Sequence, residues 1–576
     1  MVVLLCSVST LLVAQQNKED LLSGPGDRYA APSFAKRSSV IAPHAMAATS
    51  HPLSTQVALD IMQEGGNAID AAIAANAAIG FLEPNSNGMG GDLFALIWSA
   101  KDQKLFGLNA SGRAPSQVTL DRVIEDLGSV PEIPRVSPYS VTVPGAVDGW
   151  IKLHKKFGSI DMSDILAPAI RYARDGAPVP QFIAASWSGA ERSQLKGQPG
   201  FADVFLPGGK APEEGEVFKN TALARTLEQI ALRGRAGFYE GEVAAEIERY
   251  CLEAGCFITK ADLAAQHAVW VEPVGVDYGD FTLWELPPNG QGIAALQMLQ
   301  ILKPFDLASM GHNSAAYLHH LIEAKKIAFE DRGRYYADPR FAEVPVNQLI
   351  SEHYISKRRK LLNVDQASQS FDPGDPRAGR GETIYLTVAD SLGNMVSLIQ
   401  SNYSGFGSGF TPARLGFCFQ NRGCGFSLEP SHPNAYAPGK RPFHTIIPGF
   451  ITKKDKPYMS YGVMGGNMQP QGHIQVFLNH IVFGMDIQSA GDVARFRHQG
   501  STPPGGQVRQ MMDGGCISLE SGVSEEVRLQ LKAMGHKLCN NRWTHYGGYQ
   551  GILWNEEQEV YWGATESRSD GQAAGW

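Results

Sequence analysis

Residues 381–401 have the sequence GETIYLTVADSLGNMVSLIQS. The β-rich runs over 383–388 and 395–399 predict two strands, and a turn is expected at 380–382. Taken alone, the pattern places Thr383 at the start of a half-buried strand and assigns it no chemistry.

The rest of the chain predicts both strands and helices. Further β-rich runs at 444–447 and 551–554 predict strands, whereas 472–483 and 525–534 predict helices. Upstream, one helix is expected to begin at a cap on Ser54 or Thr55, a second covers 69–77, and 141–330 looks mainly helical. These elements indicate a layered α/β fold with sheets between helices.

A glycine-rich segment, NGMGGD at 87–92, precedes an apolar run over 93–98 and predicts a turn that leads into a strand. It is not a dinucleotide-binding motif, because its spacing differs from GxGxxG and a phosphate-binding loop would lead into a helix. The sequence gives no reason to expect a cofactor.

Composition restricts the class of partner. The 576 residues are 43% hydrophobic and 19% charged, which predicts a globular protein, and no linker or repeat divides the chain. The net charge of −8 comes with scattered basic residues, so neither nucleic acid nor a membrane surface is an expected partner. A small-molecule partner is expected, and no later apolar run reaches the length of a membrane span.

The first 16 residues contain an apolar run over 2–14 that resembles a signal-peptide core with a cleavage site after Ala14. A basic start is missing, since Lys18 is the first positive charge. We therefore expect a periplasmic or secreted protein, with a disordered N-terminal tail on a cytoplasmic protein as the alternative.

Cysteine and histidine spacing does not indicate a metal site. The chain has no CxxC pair, and the adjacent His319 and His320 cannot both face one metal from a regular helix. Cys251 and Cys256 are close enough in sequence for a disulfide if the protein is exported, and buried free thiols are the alternative.

Several separated motifs share one resemblance. Besides residues 381–401 and NGMGGD, the chain contains the following segments: SHPLSTQVALDIMQEGGNAIDAAIAANAA at 50–78, VTVPGAVDGW at 141–150, EAKKIAFEDRGRYYADP at 323–339, YGVMGGN at 461–467 and SRSDGQAAG at 567–575. Together they resemble the gamma-glutamyltransferase family of N-terminal-nucleophile hydrolases. The resemblance implies a four-layer αββα sandwich, made as one precursor that cuts itself before Thr383 into a large chain, 17–382, and a small chain, 383–576.

The chemistry implied by the resemblance is amide hydrolysis or acyl transfer by an N-terminal threonine. The α-amino group released at Thr383 has an ordinary pKa near 8, so it can serve as the base for the hydroxyl of the same residue. Ser401 matches a hydroxyl beside the nucleophile. Gly465 and Gly466 match a glycine pair whose backbone N–H groups face the developing oxyanion.

Departures from the family pattern concern the acyl group. Family members that bind a γ-glutamyl group present an Asp to its α-ammonium with an Asn and a Gln nearby, and these positions hold Gly425, Tyr403 and Arg422 here. The serine pair that receives the α-carboxylate corresponds to His444 and Thr445.

The family arginine that fixes the same carboxylate lines up with Ser111, and Arg113 lies two residues further on. Arg113 and Arg422 together could hold an acyl group that ends in a carboxylate. The segments QSNYSGFGSG, QNRGCGFSLEP and PGKRPFHT look more like the branch with oxamate amidohydrolase and cephalosporin acylases.

Three functions therefore stay open from the sequence. The first is hydrolysis or transfer of γ-glutamyl groups from glutathione-like amides, as in the family. The second is an amidohydrolase for des-amino dicarboxylate monoamides, and the third is a non-catalytic relative that binds a ligand.

Overall fold

A computed structural model describes residues 37–371, 382–501, 511, 513–540 and 545–576. The compact unit spans Val40–Trp576. The predicted signal segment, residues 1–16, lies outside the described residues, so its prediction stays untested.

Two seven-stranded antiparallel sheets form the centre of this unit. The first sheet has the order β1-β17-β16-β13-β12-β9-β8, with β1 Val40–Ala42, β8 Val274–Tyr278, β9 Phe281–Glu285, β12 Gly449–Lys453, β13 Lys456–Val463, β16 Tyr549–Asn555 and β17 Val560–Thr565. The second has the order β18-β2-β10-β11-β3-β4-β7, with β2 Met46–Thr49, β3 Asp92–Ser99, β4 Lys104–Ala110, β7 Val269–Val271, β10 Glu382–Ala389, β11 Met395–Tyr403 and β18 Gln572–Gly575. Two small hairpin-like pairs are β5 Ala177–Pro178 with β6 Val217–Phe218, and β14 Phe496–Gln499 with β15 Cys516–Leu519.

The helices of the described residues come in two groups along the chain. The first group is α1 Pro52–Gln63, α2 Ala68–Leu82, α3 Leu120–Leu127, α4 Ala146–Phe157, α5 Met162–Asp175, α6 Gln181–Glu191, α7 Phe201–Phe205, α8 Thr221–Arg233, α9 Ala236–Tyr239, α10 Gly241–Ala254 and α11 Lys260–Ala265. The second group is α12 Gly292–Leu302, α13 Leu307–Met310, α14 Ala315–Tyr335, α15 Val346–Leu349, α16 Glu352–Arg359, α17 Gln469–Ile481, α18 Ile487–Asp492 and α19 Glu525–Ala533.

The alternation of side chains along β10 shows how the layers are stacked. Ile384, Leu386 and Val388 pack into a core shared with α1, α2, α4 and α5, whereas Tyr385 and Ala389 face the other way. That second face meets the first sheet in a core made by residues of both sheets, and the far side of the first sheet packs on α12, α14 and α17. The predicted αββα sandwich is confirmed, because each sheet buries one face on helices and one on its partner sheet.

Both sheets combine strands from before and after Thr383. In the second sheet β10 lies between β2 and β11, and β11 pairs with β3 on its other side. In the first sheet β9 and β1 flank the block formed by β12, β13, β16 and β17. The two segments on either side of Thr383 therefore share both sheets.

Two local predictions were wrong. Residues 444–447 are not a strand: Ile446 N–H donates to His444 Nδ1 and Ile447 N–H donates to the Gln469 side chain, so neither is available for a sheet ladder. The first helix is capped by His51, whose Nδ1 accepts from Leu53 N–H, and it begins at Pro52. The region 141–330 is mainly helical, as predicted, and it also contains the short strands β5 to β9.

Of the two states considered for Cys251 and Cys256, the structure shows the buried free thiols. Cys251 and Cys256 are buried free thiols in contact with each other, and the disulfide joins Cys516 to Cys539. Within the described part of the chain, no helix combines the length and apolar character that crossing a membrane requires.

Candidate active site

Thr383 and Ser401 meet at the ends of the neighbouring strands β10 and β11. Side chains alternate along a strand, so Thr383 shares the inter-sheet face with Tyr385, and Ser401 shares it with Ile399. The strand pairing shifts between Glu382 and Ile384, because β11 has one residue more than β10 here, so the bulge lies opposite Thr383. The Thr383 hydroxyl donates to Ser401 Oγ at 3.2 Å, and Ser401 Oγ also accepts from Tyr403 N–H at 2.8 Å.

A glutamine that the sequence did not single out also reaches Thr383. Gln469 Nε2 lies 3.5 Å from Thr383 Oγ1, and Gln469 Oε1 accepts from Ile447 N–H at 2.9 Å. Gln469 is the first residue of α17 and is fully buried. The start of this helix therefore lies beside the candidate nucleophile.

The predicted oxyanion pair occupies the turn that leads into α17. Gly465 has φ +116° and Gly466 has φ +62°, backbone conformations that glycine adopts without steric cost. A Cβ on Gly465 would lie 3.2 Å from Gly547 Cα and 3.3 Å from His545 Nδ1. Glycine is required here for both conformation and space.

Gln291 connects this turn to the neighbouring loop. Its Nε2 donates to the Gly466 carbonyl at 2.9 Å and to the Thr445 carbonyl at 2.6 Å. Its Oε1 accepts from Arg332, which also donates to the Asn467 side chain, each at 2.7 Å. Residues of the segment before Thr383 thus hold two loops of the segment after it.

Arg422 is the buried cation of the predicted acyl pocket. Its Nη1 donates to Thr445 Oγ1 at 2.7 Å, and its guanidinium lies over the Tyr403 ring at 4.2 Å from the centroid. Among the described residues, its buried Nε and Nη2 have no hydrogen-bond partner. Burial lowers the pKa of Arg422 to about 10, so the group stays charged at neutral pH. Two donors of a buried cation are therefore available for an anion.

Asp92, the last residue of NGMGGD, anchors His444. It stands opposite Ser401 in the β3–β11 register and accepts from Gly112 N–H at 2.7 Å and from Gln420 at 2.8 Å. His444 Nε2 contacts its other oxygen at 3.0 Å, and burial lowers the pKa of this histidine. Because His444 Nδ1 accepts from the backbone, both ring nitrogens are engaged within the protein.

The glycines of NGMGGD allow close packing and do not form a phosphate loop. A Cβ on Gly90 would collide with the Cys418 carbonyl, and a Cβ on Gly91 would lie 2.5 Å from the Ser401 carbonyl. The motif therefore lets β3 approach the strand that carries Ser401.

Gly425 and Arg113 make contacts with other parts of the protein. The Gly425 carbonyl accepts from the Asn434 side chain, and a Cβ there would lie 3.0 Å from the Phe443 carbonyl. Arg113 donates to the Gly439 carbonyl at 3.1 Å and lies 3.6 Å from Asp338. Thr383, Ser401, Tyr403, Arg422 and Thr445 are thus linked by direct contacts, whereas Arg113 is paired with an acid.

Thr383 also lines a cavity of about 450 Å³. The residues that line it differ from the predicted acyl pocket and come from both segments of the chain, including Glu83, Phe182, Arg497, Glu520, His545 and Arg568. The candidate nucleophile therefore opens onto this cavity.

His319 lies near Glu323 and His536, with potential ligand atoms within 4.8 Å of one another. His319 Nδ1 contacts His536 Nε2 at 2.8 Å, and His319 Nε2 contacts the Asn363 carbonyl at 2.7 Å. Glu323 forms an ion pair with Lys326 at 2.8 Å. These contacts link α14 to the segments that follow it.

Comparison with known proteins relates the whole folded unit to one family. The family model described as gamma-glutamyltranspeptidase matches residues 54–576. The glutathione hydrolase-like YwrD proenzyme of Bacillus subtilis is 34% identical over 543 residues, covering 93% of this chain and 99% of the relative. The oxamate amidohydrolase proenzyme of Klebsiella pneumoniae is 35% identical over 546 residues, covering 94% of this chain and 100% of the relative.

A solved structure gives the same result for the fold. The crystal structure of cephalosporin acylase from Bacillus halodurans superposes with a TM-score of 0.85 at 41% identity, covering 96% of this chain and 99% of that chain.

Proposed function

Because this chain belongs to the gamma-glutamyltranspeptidase family of N-terminal-nucleophile hydrolases, we propose that it is a self-cleaving amide hydrolase or acyl transferase whose nucleophile is Thr383. The observation that carries the proposal is the hydrogen bond from the Thr383 hydroxyl to Ser401, at the end of a buried strand. The non-catalytic alternative is not retained, since the matching relatives are enzymes and proenzymes.

Self-cleavage uses the same hydroxyl. The Thr383 oxygen attacks the carbonyl carbon of Glu382, the C–N bond before Thr383 breaks, and the resulting ester is hydrolysed by water. The products are a large chain that ends at Glu382 and a small chain that begins with a free α-amino group on Thr383.

Amide hydrolysis then follows from the exposed N-terminus. The α-amino group takes the hydroxyl proton, the oxygen attacks the substrate carbonyl, and the proton passes to the departing amine. The N–H groups at Gly465 and Gly466, together with the start of α17, stabilise the oxyanion. Water or a second amine then releases the acyl group from Thr383.

Two acyl groups are candidates. The family and the glutathione hydrolase-like relative favour a γ-glutamyl group. The free donors of Arg422 favour an acyl chain that ends in a carboxylate, and Gly425 supplies no counter-charge for an α-ammonium. We therefore propose that des-amino dicarboxylate monoamides are the better substrates.

A substrate panel on the cut protein tests this function. N-terminal sequencing of the small chain should start at Thr383, and the enzyme should release amine from glutaryl amides faster than from the matching γ-glutamyl amides. The panel also includes oxamate, the monoamide of the shortest dicarboxylic acid. A preference for γ-glutamyl amides would reject the des-amino proposal while leaving the nucleophile unaffected.

We also propose that the protein is exported. The Cys516–Cys539 disulfide supports an oxidising compartment, because cytosolic thiols are normally kept reduced. Cell fractionation with N-terminal sequencing of the large chain checks this; a large chain that retains residues 1–16 in the cytosol would contradict it.

A further inference from the structure

Gln469 points an amide donor at the nucleophile, and the direction of this amide is fixed. Its Oε1 accepts from Ile447 N–H at 2.9 Å, and its Nε2 lies 3.5 Å from Thr383 Oγ1. Because a backbone N–H can only donate, the amide oxygen must face Ile447 and the amide nitrogen must face Thr383. Gln469 is fully buried, and its Nε2 has no other hydrogen-bond partner in the described part of the chain. The amide oxygen therefore has a structural partner, whereas the donor is directed at the reacting oxygen.

Thr383 Oγ1 has two neighbours that act in opposite senses. Its hydroxyl donates to Ser401 Oγ at 3.2 Å, and the same oxygen accepts from Gln469 Nε2. A donor stabilises negative charge on the oxygen that it contacts and makes this oxygen a weaker nucleophile. Gln469 therefore favours the steps in which Oγ1 departs over those in which it attacks. The distance of 3.5 Å is long for an uncharged oxygen, and it shortens as charge develops, since charge-assisted hydrogen bonds are shorter.

We propose that Gln469 is a catalytic residue that donates to Thr383 Oγ1 when this oxygen leaves the acyl group. This inference rests on the proposed function of Thr383 and extends it to the release of the acyl-enzyme. Water adds to the ester carbonyl carbon, and its proton goes to the α-amino group of Thr383. The bond from that carbon to Oγ1 then breaks, its electron pair moves to Oγ1, and Oγ1 takes a proton from the α-ammonium. Gln469 stabilises the charge on Oγ1 in this step and transfers no proton itself.

The same departure completes self-cleavage. There the ester joins Thr383 Oγ1 to the carbonyl carbon of Glu382, and water releases the oxygen in the same way. Loss of the Gln469 donor should therefore slow both maturation and turnover. In turnover, kcat/KM reports the steps up to the formation of the acyl-enzyme, whereas kcat also includes its release. A donor that acts on release is expected to change kcat more than kcat/KM.

The test uses Gln469→Glu, which removes the donor and keeps an oxygen that accepts from Ile447 N–H. Glutaryl and γ-glutamyl p-nitroanilides are both offered to the cut wild type, and the faster one is used for all variants. We expect kcat to fall by about tenfold or more, whereas kcat/KM should change by less than about threefold. Because the acyl-enzyme accumulates, a burst of nitroaniline equal to the concentration of active sites should precede the slow phase.

Two further variants separate the donor from general effects on α17. Gln469→Met removes the donor without adding a charge and should give the same burst. Gln471→Glu is the matched control, because Gln471 is also fully buried and its Oε1 accepts from His498 N–H at 2.8 Å. Its Nε2 donates to the carbonyls of Asn467 and His498, so this variant changes no contact with Thr383. It should show no burst and no separation of kcat from kcat/KM.

A wild-type kcat in Gln469→Glu, a loss of kcat/KM as large as that of kcat, or a burst in Gln471→Glu would overturn the inference while the nucleophile stands. If Gln469→Glu stays uncut, hydroxylamine is added to the folded precursor, since it attacks esters much faster than amides. Separation into two chains then supports the inference, and an intact chain overturns it. If the cut wild type hydrolyses neither anilide, the proposed function itself fails, and the inference fails with it.

Discussion

Gln291 donates a hydrogen bond to the carbonyl of Gly466 at 2.9 Å, so a side chain from before Thr383 fixes the turn that carries the proposed oxyanion donors. The same amide group holds the carbonyl of Thr445, whose hydroxyl accepts from Arg422. One residue therefore positions both the proposed oxyanion turn and the loop that carries Thr445.

Gln291→Leu is expected to lower kcat by about 10- to 100-fold with a smaller change in KM, because misplaced oxyanion donors act mainly on the transition state. Gln291→Glu should not rescue kcat, since a carboxylate cannot donate to the two carbonyls. Steady-state kinetics on the cut protein measures both effects.

Gln297→Leu is the matched control. Gln297 is also fully buried, but it contacts Asp331, Leu349 and Tyr336, all from before Thr383. If both variants lower kcat alike, the effect of Gln291 is general destabilisation and not positioning.

Thr383→Ala should remain a single chain of 62.4 kDa without amidase activity, since alanine has no oxygen for cleavage or acyl transfer. Wild type should give fragments of about 41 and about 21 kDa, less any signal segment. Thr383→Ser should still be cut. Thr387→Ala, on the same strand and face, should also be cut, and denaturing gels distinguish all four proteins. Uncut Thr383→Ala with wild-type turnover would require another nucleophile.

Ser401→Ala should lower kcat by about 10- to 100-fold, because the Thr383 hydroxyl loses the acceptor that orients it. Ser397→Ala is the control on the same strand and face, where the hydroxyl bonds to the Gly449 carbonyl at 2.9 Å. Comparable losses of kcat in the two variants would argue against a specific role for Ser401.

Arg422→Gln should weaken des-amino substrates by at least about tenfold in kcat/KM, the cost of losing a charge-assisted contact. Arg422→Lys keeps the charge but loses the paired N–H donors of the guanidinium, so its kcat/KM should lie between those of wild type and Arg422→Gln. An Asp at position 425 is a less direct test, because its Cβ would crowd the Phe443 carbonyl. A wild-type rate in Arg422→Gln would exclude Arg422 from acyl binding.

His51 predicts an acid-sensitive step in stability. Burial lowers the pKa of His51 from an ordinary 6.5 to about 4. The unfolded chain therefore binds a proton at His51 more readily than the folded protein does. The contribution of neutral His51 to the free energy of unfolding is complete above pH 6.5 and is lost as the pH falls from there to 4. Between neutral pH and about pH 5 the loss amounts to roughly 2 kcal/mol.

His51→Asn keeps a helix-capping acceptor and should lose less stability than wild type over this range, as measured by urea unfolding at both pH values. His44→Asn changes an exposed histidine and is the control. Identical pH dependence in wild type and His51→Asn would contradict the prediction.

The sequence predicted the parts of the fold that depend on local pattern. The runs at 383–388 and 395–399 became β10 and β11, because their alternation matches two buried faces. The pairing of Thr383 with Ser401 came from the family resemblance, and strand periodicity explains why the two hydroxyls meet.

The contacts that organise the site were not predictable in this way. Gln291 donates to two carbonyls that are 154 and 175 residues away from it in the sequence. No local pattern around Gln291 predicts this role. Asp92 lies in NGMGGD and Arg332 lies in the segment 323–339. Membership of these motifs was the feature of the sequence that could have identified them as site residues. The error at 444–447 has in part the same origin, since the side chain of Gln469, 22 residues away, takes the N–H of Ile447 that a strand would need.

Strands from both sides of Thr383 lie side by side in the two sheets, and this arrangement determines how the protein can fold before and after cleavage. Before the cut, folding is a unimolecular reaction in which β10 finds its place between β2 and β11 on a tethered chain. After the cut, the same sheets can form again only by a bimolecular encounter of two incomplete partners, each with exposed strand edges. We therefore expect the cut enzyme to persist through slow unfolding, and its refolding after denaturation should depend on fragment concentration.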